Sequence, residues 1–450
     1  MKHQSAERGA WGSKLGFVLA AAGSAIGLGN IWGFPTQTGL NGGAGFVLVY
    51  LVCVLLIGVP VMIAELTIGR RSKSDPVGAF KKLAPESAWK YLGGLGVLTG
   101  LVILSYYSVI AGWTLKYILM TVQGVFDTAN TESVTQIFSG FTSDGYQTTV
   151  FHLLFMCITV WVVTGGIEGG IERVTKILMP VLLGLLLLLV IRSVTLPGAG
   201  AGIEFYLKPD FSKITFEVVL AALGQAFFSL SLGMGAMITY GSYLSEKEDL
   251  VSSAFYVSLS DLTIAFLAGF AIFPALFAVE GLSPDQGPGL IFIVLPNIFE
   301  SIPFGQAFGV AFYILLAIAA LTSSISLLEV VVAYFIDQRG WHRRKAAITV
   351  GIMAFLLGVP SALGEGAVPS LSGFLANADF LFGKLSLIIG GLLICIFLGW
   401  KWGIQKALAE IRSSNDSFSL APVWTILIRF ICPLAIAVIL VDRLLSLFRA

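Results

Sequence analysis

Apolar stretches long enough to cross a bilayer recur from one end of this chain to the other, and they leave it almost no alternative to a membrane. A helix needs about 20 predominantly apolar residues to traverse a hydrocarbon core of about 30 Å. Cutting at polar and Gly/Pro punctuation gives eleven spans: 15–38, 41–69, 90–122, 150–165, 174–192, 216–243, 251–278, 304–335, 346–362, 376–400 and 421–446. In hydrocarbon the backbone must bond within its own segment, so such spans are helices. Charged residues make up only 12% of the 450 positions, about half the share usual in soluble domains. The chain reads as an all-α integral membrane protein with eleven transmembrane helices.

Lysine and arginine set the expected orientation. A cytoplasmic N-terminus collects nineteen of them on the inner side, including Arg70, Arg71, Lys73 and Arg343, Arg344, Lys345, against six outside. That is a clear positive-inside bias. With eleven spans the C-terminus is then extracytoplasmic, and the acidic stretch 123–149 faces outward. Segment 1–14 is polar and lacks an apolar core ending at a small-residue cleavage site, so the first span is expected to insert uncleaved. The net charge of +1 says nothing about nucleic acid, and no basic tail or aromatic-interleaved patch suggests it, so no nucleic-acid partner is expected. Cys53, Cys157, Cys395 and Cys432 sit in apolar runs without metal-ligand spacing, as small lipid- or core-facing residues.

Two spans are interrupted. The first contains GSAIGLGNIWGFP, Gly23 to Pro35, and the sixth contains SLSLGMGAMITYGSY, Ser229 to Tyr243. Non-helical backbone at membrane depth survives only where protein buries it or where it lines a cavity. Glycines also serve close helix packing, but two interrupted segments five spans apart point to inverted repeats with a midplane binding site. The expected division is a cytoplasmic segment 1–14, a first repeat 15–192, an extracellular loop 193–215, a second repeat 216–400, and a cytoplasmic loop with the last helix over 401–450. Half-helix N-termini suit a carboxylate, whereas freed carbonyls suit Na⁺. A zwitterion moving with a cation fits both ends.

Within the spans, Asp261 is a functional candidate by default, because burying its charge is costly. Glu65 and Glu329 lie nearer span ends, where structural pairing is the expectation. ALTSSIS, Ala320 to Ser326, offers adjacent hydroxyls suited to a hard cation, and SYYS, Ser105 to Ser108, places two tyrosines in the third span. A hydrolase is excluded because its serine would need a base, and His3, His152 and His342 all fall at or near membrane edges.

With GLGNIWGFP, NGGAGF (Asn41 to Phe46), GQAFFSLSLGMGA (Gly224 to Ala236) and ALTSSIS, the chain closely resembles the neurotransmitter:sodium symporter family over nearly its whole length. Within that family it looks most like a bacterial multi-hydrophobic amino-acid transporter. The resemblance implies a LeuT-type fold with a 5+5 inverted repeat and broken helices one and six. It implies one sodium site from Ala25, Asn30, Ser229 and Asp261, completed by the substrate carboxylate. A second would use Gly23, Ile26 and Ala319 carbonyls with the Thr322 and Ser323 hydroxyls. The substrate's charged ends would meet Ala25, Gly27, Gly29, Phe228, Ser229, Ser231 and the Tyr107 hydroxyl. Ile103, Phe228, Met234, Ser323 and Leu327 would line its side-chain pocket. Met234 stands where leucine-type members carry an aromatic ring, and its flexible thioether can repack around ligands of different size.

Departures from the pattern carry their own expectations. Gly33 replaces the arginine of the outer gate, while its partner Asp379 remains. Asp261 replaces a common asparagine, and a fixed carboxylate there makes chloride unnecessary. Arg8 and Asp337 match the inner gate pair. Gly170 and Pro180 bracket a helix start that can unwind to admit water to the second sodium site. The expected function is import of aliphatic and aromatic amino acids, tryptophan and leucine among them, with two Na⁺ across the lipid bilayer of the plasma membrane. The alternative is a sensor with the same pocket and no transport.

Overall fold

A computed structural model of the chain describes residues 9–127, 131–279, 290–415 and 418–449, and the regular elements among them are helices. Helix α1 (Lys14–Ala25) and α2 (Gly29–Leu40) form a pair bent by 49°. They are followed by α3 (Ala44–Ser72), α4 (Lys90–Val122), α5 (Gly145–Thr164) and α6 (Ile167–Val194). Two short helices come next, α7 (Phe216–Ser229) and α8 (Ala236–Ser242). The chain continues through α9 (Leu250–Phe277), α10 (Gly305–Arg339), α11 (Arg343–Gly364), α12 (Pro369–Arg412) and α13 (Ala421–Leu445).

Among the described residues, nine helices are long and apolar enough to span a membrane, or ten if the bent pair counts as one. The expected sixth span does not qualify, because it is split into pieces of 14 and 7 residues. Side chains start several helices: Ser13 accepts from the Gly16 N–H, Thr215 from Val218, and Asp249 from Val251 and Ser252. Each satisfies a donor that the first helical turn leaves free.

Helix α10 is the axis of the fold. Its apolar window is 83% buried, against 28% for α6, so α10 is wrapped by protein while α6 faces outward. Helix α4 packs along it, and α8 packs on α3. The second contact depends on glycine, since a Cβ on Gly241 would lie 2.8 Å from the Leu66 carbonyl oxygen.

Two segments expected as loops are partly helical. Residues 193–215 contain the helix Ala199–Leu207, whose Tyr206 hydroxyl donates to the Phe266 carbonyl at 2.9 Å. Residues 401–412 continue α12, with Ile404, Ala407, Leu408 and Ile411 buried. That apolar stripe spans two turns, too short to stand out between lysines in the sequence. Buried Arg70 anchors it, with Nε 2.7 Å from Glu410 Oε1. Cys53, Cys395 and Cys432 are buried and Cys157 is exposed, all as free thiols.

Candidate functional site

The first break leaves the helix at Ile26, whose backbone is extended at φ −77° and ψ 99°. Local groups take up the freed donors: the Gly27 N–H bonds Asn30 Oδ1 at 3.1 Å, and the Leu28 N–H bonds the Tyr107 hydroxyl at 3.1 Å. The glycines here supply room, because neither Gly27 nor Gly29 has a positive φ. A Cβ on Gly27 would lie 2.9 Å from the Tyr107 hydroxyl, and one on Gly29 would lie 3.1 Å from the Phe228 ring. At the second break the glycines do serve the backbone. Gly233 and Gly235 have φ of 85° and 80°, and Ser231 is held at 54°. Such a left-handed serine is uncommon, and its hydroxyl donates to the Ser24 carbonyl at 2.9 Å, tying one break to the other.

Asp261 is completely buried between these breaks. Asn30 Nδ2 and Ser229 Oγ both donate to its Oδ1 at 2.7 Å, and the Tyr50 hydroxyl donates to Oδ2 at 3.2 Å. A buried carboxylate needs such donors to replace water. Tyr50 is a member of this group that the motifs did not single out. Gathered here are a carboxylate, an amide that turns its nitrogen to it, and two hydroxyls, and the oxygens of such groups are hard donors of the kind that suit alkali and alkaline-earth cations.

A second oxygen cluster lies where α1 meets α10. Thr322 Oγ1 donates to the carbonyls of Ala319 at 3.0 Å and Ile26 at 3.3 Å, while Ser323 Oγ reaches those of Ser24 at 3.2 Å and Gly23 at 3.5 Å. All five residues expected for the second sodium site therefore converge. Ser24 joins them, and its hydroxyl donates to Ser326 at 2.7 Å.

Between the clusters is a cavity of about 30 Å³. Ala25, Gly27, Gly29, Ile103, Tyr107, Phe228, Ser231, Met234, Ser323 and Leu327 line it. Ser229 turns away to Asp261, and Ser24 and Leu387 take part unanticipated. The walls are apolar on the Ile103, Met234 and Leu327 side and polar along the broken backbone. Buried Glu65 braces the second break by accepting the Gly233 N–H at 2.7 Å.

Above Phe228 opens a vestibule of about 460 Å³ bordered by Gln225, Asp379, Lys384 and Arg443. Asp379 accepts the Tyr106 hydroxyl at 3.0 Å and lies 3.3 Å from Lys384 Nζ. Gly33 lies against Gln225, whose Nε2 donates to the Gly29 carbonyl at 2.7 Å. At the opposite end Asp337 accepts the Asp75 N–H at 2.7 Å, and its expected partner Arg8 lies outside the described residues. Glu329 is paired there with Arg343 at 2.7 Å and with the Tyr243 hydroxyl at 2.6 Å. Gly170 lies in a π-helical turn, Ile167–Glu172, that opens α6, and Pro180 lies inside the helix.

Residues 8–136 and 130–449 match the model of the Sodium:neurotransmitter symporter family. An uncharacterized sodium-dependent transporter of Bacillus subtilis, YhdH, is 42% identical over 96% of this chain and 97% of its own length. One from Haemophilus influenzae is 37% identical over 99% and 100%. Among solved structures, MhsT in complex with L-phenylalanine shares 48% identity with a TM-score of 0.89, covering 97% of this chain and all of that one. The chain belongs to the sodium:neurotransmitter symporter family, as a LeuT-fold, sodium-dependent membrane transporter and not an enzyme.

Proposed function

We propose that this protein imports hydrophobic amino acids, aliphatic and aromatic, with two Na⁺ per substrate and without chloride. The observation that carries the reading is the Asp261 cluster, where Asn30 and Ser229 meet one carboxylate oxygen at 2.7 Å beside an apolar cavity. The Asp261 group would take the first ion together with the Ala25 carbonyl and the substrate carboxylate. The Thr322 and Ser323 group would take the second. Because the substrate completes the first ion's shell, neither binds well alone, and this is the coupling. The bound L-phenylalanine of MhsT supports an amino acid of this class.

With the N-terminus cytoplasmic, each sodium entering down an inside-negative potential of about 100 mV contributes about 2.3 kcal/mol, before its concentration gradient counts. The fixed charge of Asp261 supplies the negative partner that chloride would otherwise bring. The test is sodium-dependent binding of labelled tryptophan and leucine by wild type and Asp261→Asn, with counterflow in proteoliposomes. Both ligands should bind only with sodium and exchange across the membrane. Binding without exchange would make the protein a sensor, and sodium-independent binding would overturn the coupling.

A further inference from the structure

Arg429 lies inside the last span, and no anion among the described residues meets it. Helix α13 has a mean hydropathy of 2.4 in its most apolar window, and Arg429 stands eight residues past its start at Ala421, roughly 12 Å along the axis. Among the described residues no carboxylate or carbonyl pairs with its guanidinium, and Nε is buried without a partner. Of the acidic groups closest in sequence, Asp416 lies outside the described residues and the other two are committed elsewhere. Glu410 holds Arg70 at 2.7 Å, and Asp442 borders the vestibule.

What does surround the guanidinium is aromatic. Its carbon lies 4.7 Å from the Trp400 ring centre on α12 and 5.6 Å from that of Phe430. The two rings stand at 90° to each other with centroids 5.7 Å apart. Gly399 makes the approach possible, since a Cβ there would fall 3.2 Å from Arg429 Cγ. Lys401 follows Trp400 and is exposed. Trp400 is 54% exposed and Phe430 53%, so the cleft opens toward the hydrocarbon, with Ile426 and Val423 exposed beside it.

A cation at this depth is costly unless it snorkels or finds a counter-charge, and the ring faces supply only part of that. An anion that arrives from the lipid side would supply the rest. Phosphate accepts two parallel N–H bonds from a guanidinium, and basic clefts between transmembrane helices take anionic headgroups. We propose that Arg429, Trp400 and Lys401 form a binding site for an anionic glycerophospholipid, in the leaflet that holds the α12–α13 connection. The phosphodiester would sit on Arg429 and Lys401, and the acyl chains would lie along Ile426 and Phe430.

The test is native mass spectrometry of the full chain released from vesicles of phosphatidylethanolamine and phosphatidylglycerol. Wild type should retain phosphatidylglycerol selectively, and Arg429→Gln should retain about tenfold less, the scale of one lost charge-assisted hydrogen bond. Arg429→Lys should keep part of the retention, and Arg344→Gln, at an exposed position on α11, should keep all of it. Glycerol phosphate in solution should not displace the lipid. Should Arg429→Gln fail to fold, Trp400→Leu decides, with several-fold weaker retention expected. Unchanged retention in the variant that decides overturns the site. So does displacement by glycerol phosphate, or retention seen only in a two-chain species, which would assign the cleft to a second copy.

Discussion

Lys384 Nζ lies 3.3 Å from Asp379 Oδ2, five residues away on the same helix. Five residues of α-helix turn two side chains about 140° apart. The stretch Asp379–Ser386 is wound as a π-helix instead, and its wider turn brings such residues to one face. A cation therefore stands beside Asp379 although Gly33 supplies none. Gly33 leaves space for Gln225, with which a Cβ there would make 3.3 Å contacts.

Lys384→Gln is expected to weaken substrate binding by a few-fold and to raise the labelling rate of a cysteine placed at Ala221 in the vestibule. The pair is partly exposed, with Lys384 at 53%, so its contribution is below about 1 kcal/mol. Thiol-labelling kinetics with and without substrate check this.

Replacing chloride with gluconate is expected to leave wild-type uptake unchanged. Asp261→Asn removes the charge that receives Asn30 and Ser229, and hydrogen bonds to charged groups contribute roughly 1.5–3 kcal/mol. Sodium affinity should fall by about tenfold or more, read from a sodium titration of ligand binding.

The cavity of about 30 Å³ admits a large side chain only if a wall gives way. Met234 is the flexible wall. Met234→Phe is expected to weaken tryptophan binding by about tenfold, on the scale of overpacking a tight site at about 1–3 kcal/mol. Leucine should be affected less. Competition binding of the two ligands checks the ratio.

Unwinding at the start of α6 would have to release α1, because Glu172 accepts the Gly12 N–H at 2.7 Å and the Ser13 hydroxyl at 2.8 Å. Proline inside a helix costs about 3 kcal/mol, so Pro180→Ala should strengthen the helix and slow sodium release by about tenfold. Rapid-mixing measurement of sodium release checks this. Glu172→Ala should act oppositely and speed hydrogen exchange at the start of α1.

Asp75 offers a pH signature outside the spans. Burial pushes its carboxyl up to about 6, with the Asp337 charge adding to the rise and the Gln338 amide and the Val77 and Gly78 N–H groups opposing it. A raised folded pKa means that the folded state holds the proton more tightly. The resulting stability is full below the ordinary carboxylate pKa of about 3.9 and is lost as pH rises through about 6. Between those limits wild type should lose melting temperature relative to Asp75→Asn, which keeps a capping oxygen. Thermal unfolding in detergent across this range measures the difference.

Much of the site is legible in the sequence because hydrocarbon penalises what it does not use. Asp261, Thr322 and Ser323 stand out against apolar neighbours, and the structure brings Asp261 to Asn30 and Ser229, and the two hydroxyls to the carbonyls of Gly23, Ile26 and Ala319. Tyr50 does not stand out, because a phenol in an apolar run reads as packing. Its bond to Asp261 joins residues 211 positions apart and exists only once α3 and α9 meet. The glycines of the first break suggest backbone freedom, yet they serve contact with Tyr107, Ser323 and Phe228. Spacing on one strand of sequence does not distinguish room from rotation.

By itself the sequence determines the membrane, the helices, the two breaks and which side chains carry oxygen. Those follow from hydropathy and backbone bonding, which act along the chain. The tertiary structure decides that Ser231 adopts a left-handed turn to reach Ser24, that Lys384 serves Asp379, and that Arg429 faces Trp400. Each of those depends on helix winding or on approach to within a few ångströms, and such distances arise only when helices remote in sequence are packed together.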